Sequence, residues 1–129
     1  QLLVPDLTTA ERIAPRLAEL GYPGGELADH LGEGGSEGKW FHKNSDPGRA
    51  VNLHVRTEDS VGARFARAFR SLLRTDAGER ERYLGLKREL IERIREATGT
   101  EAEATNAYAD AKEPYFLRMR QRLVPESFA

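Results

Sequence analysis

The chain has 129 residues, 39% of them hydrophobic, which suits one globular domain with a core large enough to need no covalent staples. Its 20 lysines and arginines against 21 aspartates and glutamates leave a net charge of −1, so no global field favours nucleic acid or a membrane surface. The lack of cysteine excludes disulfides and thiolate metal sites; no apolar run approaches the ~18 residues of a membrane span and no secretory signal is present, so a cytoplasmic location is expected.

The chain opens on Gln1 rather than Met and runs directly into Leu2-Leu3-Val4, so a truncated or processed chain is expected. Residues 1–4 read as a short buried strand closed by Pro5 and Asp6. Thr8 and Glu11 have the spacing of a capping box. Ile13, Leu17 and Leu20 then share one face of a helix of about 12 residues. Pro15 predicts a late start or a kink in that helix, and Gly21 a left-handed stop.

Residues 23–38 are rich in glycine and polar side chains and read as a mobile loop. Gly38-Lys39 does not make a phosphate loop: position 33 is Glu33 where the first glycine is needed, and Trp40 follows the lysine. Residues 39–44 and 51–57 read as an antiparallel hairpin around the turn Ser45-Asp46-Pro47-Gly48-Arg49. In the second strand Val51, Leu53 and Val55 point one way and Asn52, His54 and Arg56 the other.

After Asp59-Ser60 the pattern is helical to the end. Phe65, Phe69, Leu72 and Leu73 form one stripe. Tyr83, Leu86, Leu90, Ile91 and Ile94 form a second, and Tyr108, Ala111, Tyr115 and Met119 a third. Junctions are expected at Thr75-Asp76 and at Thr98-Gly99-Thr100, with a kink or break at Pro114. The Arg- and Glu-rich segment 74–96 reads as a charged outer face.

The hairpin's polar face is the place where chemistry can gather. Asn52, His54 and Arg56 project together, and the facing strand adds either His42 or the pair Phe41 and Lys43, depending on register. An amide, an imidazole and a guanidinium in a row can cradle an anion or phosphate. The plain alternative is a solvated sheet face, the ordinary look of an antiparallel sheet. His30, His42 and His54 do not have the spacing of a metal site, and no metal is expected on them. Tyr108 and Lys112 lie one turn apart on one helical face, and Lys87 follows Leu86. Such lysines are ordinarily solvated, but both can reach a phosphate if their helices pack on the hairpin.

From Trp40 onward the chain resembles the GrpB family. Trp40-Phe41-His42-Lys43, Asp46-Pro47-Gly48-Arg49 and Asn52-Leu53-His54-Val55-Arg56 are similar in order and spacing to its central segment. Phe69-Arg70, Tyr83-Leu84-Gly85-Leu86-Lys87 and the run from Tyr108 through Lys112 to Phe116 are similar to its later elements. Val4-Pro5-Asp6-Leu7 and Leu20-Gly21-Tyr22 fit its earlier part, so the resemblance covers nearly the whole chain. It implies a single GrpB-like domain over 1–129, the C-terminal portion of the family's domain, N-terminally truncated. The implied fold is α/β (α+β): a nucleotidyltransferase-like mixed sheet with a β-hairpin and a helical C-terminal half. It also implies a nucleotide or phosphate-containing small molecule as ligand. Lys43, Asn52, Arg56, Lys87, Tyr108 and Lys112 would bind it, and His54 would be the catalytic hydrogen-bonding or proton-transfer group.

Members of the family occur fused behind a dephospho-coenzyme A kinase, and the ending Ala111-Lys112-Glu113-Pro114-Tyr115-Phe116 is similar to that subgroup. The family's Gly-Ser motif, its Val-Pro-Gly-Leu stretch and the Asp of the next strand are not found here. In related sites such groups hold phosphate and a metal, so Mg2+ with a nucleotide is implied only for the full-length domain. This chain alone is expected to be inactive, and its alternative role is a non-catalytic accessory domain of a bifunctional kinase. Neither nucleic acid nor membrane is expected as a partner.

Overall fold

In the computed structural model the described residues are 1–29, 38–44, 48–97 and 101–128. The fold is α+β, and residue contacts divide the chain into two compact units, Gln1–Ala66 and Arg67–Ser127.

The first unit is a four-stranded mixed sheet with one helix packed on it. Its elements are β1 (Leu2–Val4), α1 (Leu7–Glu19), β2 (Gly24–Asp29), β3 (Gly38–Lys43) and β4 (Asn52–Thr57). The strand order is β1-β4-β3-β2; β1 runs parallel to β4, and the other pairs are antiparallel.

Helix α1 begins two residues earlier than a cap at Thr8 requires. Asp6 is the cap, its carboxylate accepting from the Thr9 amide at 2.6 Å. That bond holds the Asp6 carboxyl below its usual range. An aspartate in extended backbone satisfies an orphan donor of the first turn directly, which leaves Thr8 inside the helix. The helix runs through Pro15, which costs it a single donor, and the expected late start does not occur. At the other end Gly21 takes a φ of 90°. Its amide donates to the Ala18 carbonyl at 3.0 Å and the Tyr22 amide to the Leu17 carbonyl at 2.9 Å. This paired closure needs a residue that tolerates the left-handed region. Leu20, expected on the apolar stripe, is instead the C-cap and is 60% exposed.

Val4, Ala10 and Val55 are buried together, with Ile13, Leu17 and Leu53 packed around them. One face of the sheet is thereby covered by α1. The segment expected to be a loop is in part strand: β2 pairs with β3 from Gly24↔His42 to Asp29↔Gly38, with a register shift between Gly24 and Glu26. Main-chain pairing at a sheet edge does not need the alternating apolar pattern that marks a central strand, so a glycine-rich segment can supply it. Residues 30–37 of that expected loop lie outside the described residues, as do 45–47 of the hairpin turn and the junction 98–100.

Ser60 opens α2 (Val61–Thr75): its hydroxyl donates to the Thr57 carbonyl at 2.8 Å and accepts from the Ala63 amide at 3.1 Å. The second unit is helical, with α3 (Ala77–Ala97), α4 (Glu101–Leu123) and a closing 3-10 turn at Pro125–Phe128. Asp76 caps α3 by accepting from the Glu79 amide at 2.8 Å. Helix α4 continues through Pro114, and the expected break does not occur. Ala111 and Ile91, placed on apolar stripes by periodicity, are exposed, whereas Leu90, Tyr115 and Val124 are buried.

Two glycine substitutions should move stability in opposite directions. Gly21→Ala should cost about 1 kcal/mol, because a Cβ is strained at that φ. Gly85→Ala, inside α3 with nothing within 4 Å of the new Cβ, should gain about 1 kcal/mol. Urea denaturation of the two variants beside the parent chain reads both signs.

Candidate functional site

The β3–β4 register settles which side chains share the polar face. Lys43 is opposite Asn52, Phe41 opposite His54, His42 opposite Leu53 and Trp40 opposite Val55. Directly opposed residues project to the same side of a sheet. Lys43 therefore stands with Asn52, His54 and Arg56, on the face away from the Val4–Val55 core. His42 belongs to the inner face and is fully buried.

Burial grades along the polar face: Lys43 and Asn52 are exposed, His54 and Arg56 half-buried. Arg56 donates from Nη1 to the Gln1 side-chain oxygen at 3.0 Å, which ties the strand end to the start of the chain. Asn44 holds the hairpin closed. Its Nδ2 donates to the Arg49 carbonyl at 2.5 Å, its Oδ1 accepts from the Val51 amide at 2.6 Å, and its own amide donates to the Val51 carbonyl at 3.1 Å. The face thus carries an ammonium, an amide, an imidazole and a guanidinium in fixed alternation. It can donate to an anion from three positions and exchange a proton at His54.

His42 has a different part. Its Nδ1 is 3.2 Å from the Tyr22 carbonyl, which can only accept, so the proton sits on Nδ1. Nε2 is buried with no hydrogen-bond partner among the described residues. The ring therefore anchors β3 to the residue that follows the α1 stop.

Lys87, Tyr108 and Lys112 lie in the helical unit and form a second group. Lys112 Nζ sits 4.0 Å from the centre of the Tyr108 ring and 5.9 Å from that of Phe116. Lys87 Nζ sits 5.1 Å from the centre of Tyr83. Burial first, then the charge of Lys87, holds the Lys112 ammonium below the usual lysine range. Burial holds the Tyr108 hydroxyl above its own. The seven expected residues are thus gathered as four on a sheet face of the first unit and three on helices of the second.

Sequence reasoning missed a buried polar centre in the second unit. Glu79, within the segment read as a charged outer face, is 3% exposed. It accepts from the Tyr115 hydroxyl at 2.8 Å, Arg82 Nη2 at 2.9 Å and Arg122 Nη1 at 3.2 Å. The Arg82 and Tyr115 bonds, in that order, hold its carboxyl below the usual range. Burial, then Glu79, holds the Tyr115 hydroxyl far above the usual tyrosine range. A signal was present: Glu79 stands three residues after Asp76, the spacing of a cap and its partner. Its partners lie 36 and 43 residues downstream, which spacing alone does not reveal. Around it Phe69, Tyr83, Tyr115 and Phe116 make a four-ring cluster; Tyr83 and Tyr115 stack at 5.4 Å, and Phe69 meets Tyr83 edge-on at 5.2 Å.

Among the described residues no group of three His, Asp or Glu is placed to hold a metal ion. The polar face offers magnesium only the amide oxygen of Asn52 beside three cationic or nitrogen groups, which does not fit a cation that takes oxygen ligands. No described helix is long and apolar enough to cross a membrane.

Glu79 should be a pH-dependent tie. A depressed carboxyl stabilises the fold above its unfolded value and loses that contribution as pH falls through the folded value. Tyr115→Phe should cost about 2 kcal/mol near neutrality. The gap between parent and Glu79→Gln melting temperatures should narrow as pH drops from about 6 toward about 3.

Comparison with known proteins agrees with these motifs. The GrpB protein family matches residues 1–122, a span that holds the first unit to Ala66 and most of the second. The dephospho-CoA kinase of Mycolicibacterium paratuberculosis is 31% identical over 132 residues, covering 90% of this chain and 31% of that protein. Those of Mycobacterium bovis and Mycobacterium tuberculosis are 32% identical over 138 residues, covering 95% of this chain and 32% of each. The chain spans about a third of the length of these curated relatives.

Proposed function

The chain belongs to the GrpB family, and from that premise we propose that it binds a nucleotide or another phosphate-containing small molecule, in the setting of a cytoplasmic dephospho-CoA kinase. One observation carries the reading: register puts Lys43, Asn52, His54 and Arg56 on one sheet face while His42 turns inward. Arg56 offers a planar fork to phosphate oxygens, Lys43 a mobile point charge and Asn52 a neutral donor. His54 hydrogen-bonds the ligand or passes a proton. Nucleotidyltransferase ancestry fits such a face.

A second reading has its own support. The matched relatives are named dephospho-CoA kinases and are about three times as long as this chain. In that reading the domain is a non-catalytic accessory module that stabilises the kinase it accompanies.

Titration calorimetry of the chain with ATP, GTP, coenzyme A and dephospho-coenzyme A, with and without magnesium, separates the two. Saturable binding that weakens about tenfold or more in Arg56→Ala and in His54→Ala supports the ligand site. No heat with any ligand, together with a raised melting temperature on mixing with a dephospho-CoA kinase, supports the accessory role and contradicts the first.

A further inference from the structure

Among its described residues the helical unit holds two ammonium groups that no carboxylate neutralises. Lys87 lies over Tyr83 and Lys112 over Tyr108 and Phe116. The Tyr83 and Phe116 rings meet at 5.8 Å, so the two ammonium groups cap neighbouring rings. Both lysines are half-buried. Among the described residues no carboxylate is in ion-pair range of either.

The same unit pairs its arginines readily. Arg82 and Arg122 share Glu79, and Arg93 pairs with Glu89. Carboxylates are therefore plentiful on these helices, but among the described residues none is placed at the two lysines. A ring face returns on the order of 0.5–2 kcal/mol to a cation above it, yet it leaves the positive charge in place. Two like charges partly removed from water repel each other, and a dianion lying between them reverses that term. The ammonium groups bring rotatable donors on flexible stems, which suit a tetrahedral phosphate better than a planar carboxylate.

We propose that Lys87 and Lys112 form a two-ammonium seat for a phosphomonoester dianion, walled by the rings of Tyr83, Tyr108 and Phe116. This rests on the phosphate-binding reading above and narrows it to a ligand class. A terminal phosphoryl group carrying two charges is preferred over an internal diester carrying one. The seat takes the phosphate whether free or at the end of a small molecule.

Lysine side-chain NMR on the full chain tests this with inorganic phosphate as the probe and dimethyl phosphate as the singly charged control. Phosphate should shift the Lys87 and Lys112 Cε–Hε signals saturably and raise the pH at which Lys112 deprotonates. Dimethyl phosphate should bind about tenfold more weakly or worse, and phosphate itself should weaken between pH about 7.5 and about 5, where it becomes a monoanion. Lys112→Met, which keeps the aliphatic stem over Tyr108, should lose about tenfold in phosphate affinity, and Lys87→Met should do the same. An ATP titration completes the set. Lysine signals unmoved by phosphate, while ATP shifts Arg56 and His54, would overturn the seat and leave the sheet-face reading intact. Silence at both places with every ligand would overturn both. Dimethyl phosphate binding as well as phosphate would overturn the dianion preference.

Discussion

The first unit depends on one register, that of β3 against β4. Side chains alternate across a strand, so pairing Lys43 with Asn52 also commits every other position of the hairpin. It sends Val55, Leu53 and His42 toward α1 and leaves Lys43, Asn52, His54 and Arg56 on the opposite side. A slip by one residue would bring an imidazole to the polar face in place of the ammonium. Two features pin the register. Asn44 clasps the hairpin end through its own side chain, and His42 is fixed from the inside by the Tyr22 carbonyl. Tyr22 is itself placed by the closure of α1 at Gly21, so the helix stop and the sheet register belong to one arrangement.

The second unit is organised by a buried charge rather than by a continuous apolar stripe. Removing Glu79 from water is costly, and two arginines and a tyrosine hydroxyl offset that cost. Glu79 lies in the first turn of α3, whereas Tyr115 and Arg122 come from the second half of α4. The bond set therefore fixes the sliding of one helix along the other, which greasy contacts alone fix less well. The aromatic cluster beside it supplies area and the ring faces on which Lys87 and Lys112 rest. A structural centre and a cationic patch thus share the same rings.

Much of this was legible in the sequence where physics is local. The left-handed stop at Gly21, the strand alternation from Leu53 to Arg56 and the start of α2 after Ser60 each rest on neighbouring residues. What escaped was set from a distance. Strand β2 has a sequence that reads as loop, and it exists because β3 offers its edge. Pro114 reads as a kink or a break, yet the helix is not broken there: losing one donor in a long helix is tolerated when the flanking turns are packed. Glu79 looks like one charge among many until partners four dozen residues away or fewer are brought to it. The polar face was half legible: Asn52, His54 and Arg56 were read together, but the choice between His42 and Lys43 as their neighbour needed the cross-strand pairing.

Chemistry at the face follows from that choice, since a buried His42 contributes anchoring and an exposed Lys43 contributes charge. The chain's lack of cysteine allows the choice to be measured by disulfide trapping. Lys43→Cys combined with Asn52→Cys should oxidise rapidly to an intrachain bond, because directly opposed Cβ atoms are about 5 Å apart. His42→Cys combined with Asn52→Cys should stay reduced under the same mild oxidant, its thiols on opposite faces. Efficient bridging of the second pair and not the first would contradict the register and dissolve the polar face built on it.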